Sequence, residues 1–279
     1  MKTYFKLNER LGKIFNYFSI FTIVLGSIFG TLNSAYAADG DDGDTEVVDG
    51  ATVGATDATG ILVDADGDGA IGITIDPDGG ITLGTTNDDD AITSDSTGAA
   101  ATTFTVTDAT DSGDLLTIAG DIEIGDTDTD DTMIFNVTDA NILIQNDVVA
   151  GNAANTIAFN LGSGGNVTMT VDNDQNEEQG IAATIDGNAT NTVTLAITDT
   201  VASAQLQIFS QAIGATTALD AININPTDDE TAEVKFQAAV SATAITLGDA
   251  TDAADDDTTV TFEAQAADYA VTGTINNAV

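Results

Sequence analysis

The chain has no cysteine, no histidine and no tryptophan, and only two prolines in 279 residues. Without cysteine there are no disulfides, no thiolate nucleophile and no zinc–thiolate site. Without histidine the usual general base near neutral pH and the usual transition-metal ligand are both missing. Positive charge is nearly absent as well. Lys2, Lys6, Arg10 and Lys13 lie in residues 1–37 beside a single acid, Glu9. The 242 residues that follow hold Lys235 against 45 acids. Such a chain cannot track phosphates, which excludes nucleic acid as a partner, and an anionic membrane surface would repel it. Divalent cations are the expected counterpart of a formal charge of −41.

What remains is enough to fold. Apolar residues make up 42% of the chain and mean hydropathy is +0.09, whereas acidic disordered tails are poor in apolar residues. The first 37 residues combine a basic start, an apolar run from about Ile14 to Leu32 and the small-x-small signal Ala35-Tyr36-Ala37. They are expected to be a secretory signal peptide cleaved after Ala37. Left uncleaved, the same run would serve as a membrane anchor. In either case the positive flank stays inside and the acidic part is exported.

Residues 38–60 show no sustained alternation and are expected to form a flexible acidic leader. From residue 61 to 279 the texture is that of repeated strands. "TFTVT" (103–107), "IAFNL" (157–161), "VTMTV" (167–171), "VTLAI" (193–197), "ININ" (222–225), "VKF" (234–236) and "VTF" (260–262) all alternate with period two, the mark of strands with one buried face. Clusters of Gly, Asn and Asp between them turn the chain. "SAQLQIFSQAI" (203–213) also alternates and is read as strand. Three segments share one grammar of apolar-x-apolar-Gly, acidic loop and strand: 81–93, 122–137 and 245–262. They read as copies of a unit that buries its face only by stacking.

The fold class expected is therefore all-β. A parallel β-solenoid (β-helix) is favoured over antiparallel β-sandwich modules, because sandwiches usually spend Trp, Tyr or a disulfide on pinning two sheets together. The exported part offers only Tyr269 and six phenylalanines. This strand-Gly-Asp-loop grammar, with its Thr-rich outward positions, resembles β-strand-repeat surface proteins of bacteria: autotransporter passengers, large adhesins and some surface-layer proteins. That resemblance implies a structural or adhesive role outside the cell. Autotransporters of that kind end in a membrane β-barrel, and none follows "TGTINNAV"; either that likeness fails or the chain continues beyond Val279.

Aspartate dominates the acids, 38 Asp to 7 Glu in residues 38–279. Short side chains that cap turns explain much of this bias. Local density is the remainder: "DTDTDD" holds Asp126, Asp128, Asp130 and Asp131, and like charges about 6 Å apart repel by roughly 0.7 kcal/mol even in water. A divalent cation would reverse that sign. In "DADGDGAIGITI", Asp64, Asp66 and Asp68 followed by Gly69 have the spacing of an oxygen-ligand calcium loop, similar to the loops of dockerins and thrombospondin type 3 repeats. The closing carboxylate position holds Ile75, and Asp76 lies one residue further on, so the expected site is weak. A second candidate is Asp126/Asp128/Asp130. Three glycosylation sequons begin at Asn136, Asn166 and Asn188. Paired aspartates could in principle cleave glycosides, but the bases and aromatic platforms that hold sugar are lacking. The expectation is not an enzyme: an exported structural protein associating with calcium and with further copies of itself, or else an adhesin with a surface receptor.

Overall fold

A computed structural model describes residues 37–38, 45–46, 52–53, 61–65, 70–77, 79–84, 90–96, 101–108, 114–124, 131–173, 177–200, 205–224, 232–248, 258–263 and 271–277. Every regular element among them is a β-strand. Of the expected signal peptide, residues 1–37, all but Ala37 lies outside them, as does most of the expected leader. What is described there is β1 (Ala37–Ala38), antiparallel to β2 (Thr45–Glu46), and β3 (Thr52–Val53), which is parallel to the later β5. No helix among the described residues is long and apolar enough to cross a membrane.

From Ile61 onward the chain winds as a parallel β-solenoid, and the antiparallel sandwich is excluded because each strand pairs in parallel with a strand one coil away. The first coil is β4 (Ile61–Ala65), β5 (Ala70–Ile75) and β6 (Ile81–Leu83). The second is β7 (Asp90–Ser96), β8 (Ala101–Val106) and β9 (Leu115–Ile118). The third is β10 (Asp121–Ile124), β11 (Thr132–Val137) and β12 (Asn141–Ile144). The fourth is β13 (Val148–Val149), β14 (Thr156–Leu161) and β15 (Val167–Asn173), and the fifth is β16 (Gln179–Ile181), β17 (Ala183–Asp186) and β18 (Val193–Asp199). Afterwards the middle strand shrinks. β19 (Leu206–Phe209) reaches β20 (Leu219–Ile224) through a single bridge residue, Ile213, which links Ile185 to Val240. β21 (Glu233–Phe236), β22 (Val240–Leu247), β23 (Thr259–Phe262) and β24 (Val271–Asn277) complete the series.

Each of these first five coils thus gives one strand to each of three sheets, and the later coils give strands to two of them, so the sheets have ten, six and eight strands. Alternation decides which side chains enter. In β11 the pattern buries Met133, Phe135 and Val137 and turns Thr132, Ile134 and Asn136 outward. Parallel pairing in register then puts like on like, since residues one coil apart sit about 4.8 Å from each other. Phe104 pairs with Phe135 and Phe135 with Phe159, steps of 31 and 24 residues, and their rings stack at 4.7 and 4.8 Å. A second phenylalanine stack, Phe209–Phe236–Phe262, runs up the ten-stranded sheet at 5.3 and 5.5 Å. The eight-stranded sheet carries an aliphatic column instead, Leu83–Ile118–Ile144–Val171–Ile197–Ile224, each side chain buried.

The structure corrects the repeat read from sequence. Of the three like segments, β6 and β22 lie in the eight-stranded sheet, whereas β10 belongs to the ten-stranded one. They share a strand-to-turn grammar without occupying equivalent places. The true unit is the coil, which varies in length, so it leaves no fixed period in the sequence. "SAQLQIFSQAI" does become strand, at β19 and the Ile213 bridge.

Candidate functional site

The corners between sheets are where the carboxylates act. A strand ends, the backbone turns, and N–H groups there lose their ladder partners, so an acceptor must come from elsewhere. An aspartate one coil away supplies it. Asp121 Oδ1 accepts from the Asp147 backbone N–H at 3.0 Å, and Asp147 Oδ1 accepts in turn from Gly180 at 2.6 Å. Asp114 accepts from Gly79 at 2.7 Å, Asp186 from Thr216 at 2.8 Å and Asp220 from Val193 at 2.8 Å. Asp139 Oδ1 gathers three donors: the Asp108 N–H and the hydroxyls of Thr107 and Thr138. Asn141 and Asn166 do the same for Thr168 and Thr192. Glutamate, one methylene longer, would have to fold back to reach such a donor. The excess of Asp over Glu therefore has a structural cause at these positions: charge-assisted ties between coils.

Asp66, Asp68, Asp126, Asp128 and Asp130 lie outside the described residues. Asp64 lies in β4, where it pairs with Asp95 of β7. Among the described residues, no group of three or more acidic side chains is arranged to hold a metal ion. The sequon asparagines are described. Asn136 accepts the Asn160 carboxamide at 3.0 Å within a ladder, and Asn188 closes a local turn through Thr190.

Beside the Asp147 corner, a shallow groove of about 240 Å³ opens on the outer side of the ten-stranded sheet. Val149, Ala150, Ala182 and Ile208 line it, and Gly180, lacking a side chain, forms part of its floor. Ligand pockets usually exceed about 300 Å³ and bring several polar groups to one point; this groove has Asp147 and Ser210 at its margin and otherwise methyl groups. Burial pushes the Asp147 carboxyl above the usual carboxylate range; the Gly180 N–H opposes that shift, while Glu177 and Glu178 add to it. A carboxyl with a raised folded-state pKa costs stability once both states are ionised. That cost disappears as pH falls through the folded value. Asp147→Asn keeps an oxygen for Gly180 and removes the buried charge. We expect it to raise the thermal midpoint slightly at neutral pH, by the equivalent of at most about 1 kcal/mol, and to leave it unchanged well below the unfolded carboxylate pKa. Melts at both pH values check this.

Sequence reasoning missed the distribution of charge over the faces. The eight-stranded sheet turns two columns outward. One is Thr82, Thr117, Leu143, Thr170, Ala196, Asn223, Thr246 and Asn276, in register from β6 to β24. The other contains Thr168, Thr194, Ala221, Ala244 and Thr274, with Leu115 and Asn141 at its start. Not one is charged. Sequence alternation held the signal, but only the register shows that these residues share a plane. Lys235, by contrast, sits on the ten-stranded sheet, with its Nζ 3.0 Å from Glu263. That lysine and the Gln237 amide hold the exposed Glu263 carboxyl below the ordinary glutamate range.

Comparison with protein-family models, with curated proteins and with solved structures finds no match to this chain.

Proposed function

We propose that this chain is an exported structural protein of the cell surface or extracellular matrix, built as a non-catalytic scaffold and associated with divalent cations. One observation carries the reading. Many of the described aspartates tie corners, and the eight-stranded sheet presents columns of mostly short side chains. Such an architecture suits repetitive contact over an area more than binding at a point. The signal-like first 37 residues support export, and the acid-dense stretches at 64–68 and 126–131 support calcium as the counter-ion. An adhesin that attaches to a receptor is the rival reading, favoured by the same flat faces.

Two measurements test it. Immunoelectron microscopy of the producing cell should place the protein at the surface or in the surrounding matrix; a cytosolic distribution would overturn the reading. Thermal unfolding in chelator, magnesium or calcium at matched ionic strength tests the cation. A native-state calcium site should add about 1.4 kcal/mol at ten times its Kd, and equal midpoints in all three would dismiss it. Saturable binding to a host surface by protein that never self-associates would favour the adhesin.

A further inference from the structure

Where the eight-stranded sheet turns into the ten-stranded one, the interior of the solenoid ceases to be aliphatic. Asn173 ends β15 and Asp199 ends β18, in register one coil apart, and both are fully buried. Across the corner, Gln179 of β16 and Gln207 of β19 form a second buried pair. The two pairs share the corner: Asp199 Oδ2 accepts the Gln205 N–H at 3.1 Å, and Gln207 Nε2 donates to the Thr198 carbonyl at 3.0 Å. The amide nitrogens are spent on oxygens of the protein itself. Asn173 Nδ2 donates to the Glu177 carbonyl, Gln179 Nε2 to the Asn146 carbonyl, and Gln207 Nε2 to Gln179 Oε1 as well. Gln207 Oε1, the other arm of that amide, is enclosed, and none of the described residues donates to it. A buried oxygen without a donor is costly, and a buried carboxylate beside it is costlier unless a positive charge answers it. The chain has little to offer, since Lys235 is its only base after residue 37 and its Nζ is taken by Glu263. Nearby side chains add negative charge instead. Asp147 holds the N–H of Gly180, next to Gln179, and Glu177 and Glu178 push its carboxyl further upward.

We propose that this corner binds a calcium ion inside the solenoid, with the Asp199 carboxylate and Gln207 Oε1 as its side-chain ligands. This deepens the scaffold reading above, on which it rests, by giving its divalent cation a place apart from the acid-dense stretches. No triad of carboxylates is required. Calcium takes roughly six to eight oxygens, and it accepts amides, backbone carbonyls and water beside a carboxylate. One ion answers both deficits at once, as a partner for the orphaned amide oxygen and a counter-charge for the enclosed carboxylate. A proton on Asp199, donated to Gln207 Oε1, is the rival that would satisfy the same two groups. Charge favours the metal. A proton cancels one charge, whereas Asp147, Asp172, Glu177, Glu178 and Asp199 all belong to this corner.

Native mass spectrometry of the full chain, purified with calcium and then dialysed against chelator, tests the site. An ion enclosed by the corner leaves only when the coil opens, so wild type should retain one calcium after weakly held ions are stripped. Asp199→Asn keeps the shape and removes the charge; Gln207→Met keeps the length and removes the amide oxygen. Each should lose that ion. Asp220→Asn neutralises an aspartate at the opposite end of the same sheet's strands and should retain it. Thermal melts confirm that the variants fold, and calcium should raise the wild-type midpoint more than those of Asp199→Asn and Gln207→Met. Terbium in place of calcium locates the ion without any substitution: its anomalous diffraction peak in wild-type crystals should lie against Asp199 and Gln207. A peak elsewhere, or retention of the ion by the two folded variants, would overturn this corner and leave the scaffold's calcium to the stretches at 64–68 and 126–131. A wild type with no chelator-resistant calcium would overturn it too, and an Asp199→Asn as stable as that wild type would assign the corner to a protonated carboxyl. Equal midpoints in chelator, magnesium and calcium would dismiss the cation altogether, while the localisation test decides export separately.

Discussion

Phe135→Ala is expected to lower the free energy of unfolding by about 3–5 kcal/mol, the cost of emptying a large buried aromatic site. Phe135 is fully buried, and its ring is stacked on both sides, at 4.7 Å from Phe104 and 4.8 Å from Phe159. Removing it forfeits two ring contacts worth about 0.5–1.5 kcal/mol each beyond the area they hide. Its neighbours cannot close the gap, because the ladders above and below fix their spacing. Phe262→Ala is the internal control. That ring stacks on Phe236 and is only partly buried, so its loss should be clearly smaller. Urea unfolding followed by circular dichroism measures both. A Phe135→Ala midpoint no lower than that of Phe262→Ala would mean that the stacked rings do not hold the coils together.

Gly214→Ala comes next in expected size. Gly214 has φ of 66°, a left-handed conformation that costs an L-residue roughly 1–2 kcal/mol. The added methyl would also collide with the Ser241 carbonyl oxygen of the adjacent coil and lie 3.1 Å from Ala218 Cα. Both obstacles are backbone, so neither can swing aside. The Ser241 backbone is tied where it is, since its N–H donates to the Ile213 carbonyl at 2.9 Å. We expect about 3 kcal/mol of destabilisation in all. Gly79→Ala is the comparison: its φ of 78° carries the same conformational cost, with nothing in the way of the methyl. The difference between the two melts isolates the collision, and equal effects would show that the coils near Gly214 can move apart.

Much of this architecture can be read from alternation alone. Strands named from "TFTVT" or "VTLAI" appear within a residue or two as β8 and β18, because one buried face imposes period two on any strand. Their grouping into three sheets cannot be read that way. It depends on which residues lie one coil apart, and steps such as 31 and 24 between successive phenylalanines give no constant period to detect. Polar residues mislead for a related reason. Asp172 and Asn173 look like the start of a loop, yet β15 continues through them, paired with Thr198 and Asp199. The corner supplies the partners that a lone strand end would lack. Gln207 is fully enclosed as well, and its amide donates to Gln179 Oε1 and the Thr198 carbonyl, both at 3.0 Å. Composition shows that aspartate is abundant; only three-dimensional neighbours show that many of these carboxylates bond to the backbone of the next coil.

Because each coil is bonded only to the one before and the one after, a pull along the stack would meet resistance one rung at a time. Freeing a rung of 27 residues, the step from Phe209 to Phe236, would release roughly 90 Å of thread where about 4.8 Å had been. A molecule anchored at both ends would then lengthen in instalments under load, absorbing work at each, and the untouched rungs would remain as templates on which the thread could rewind.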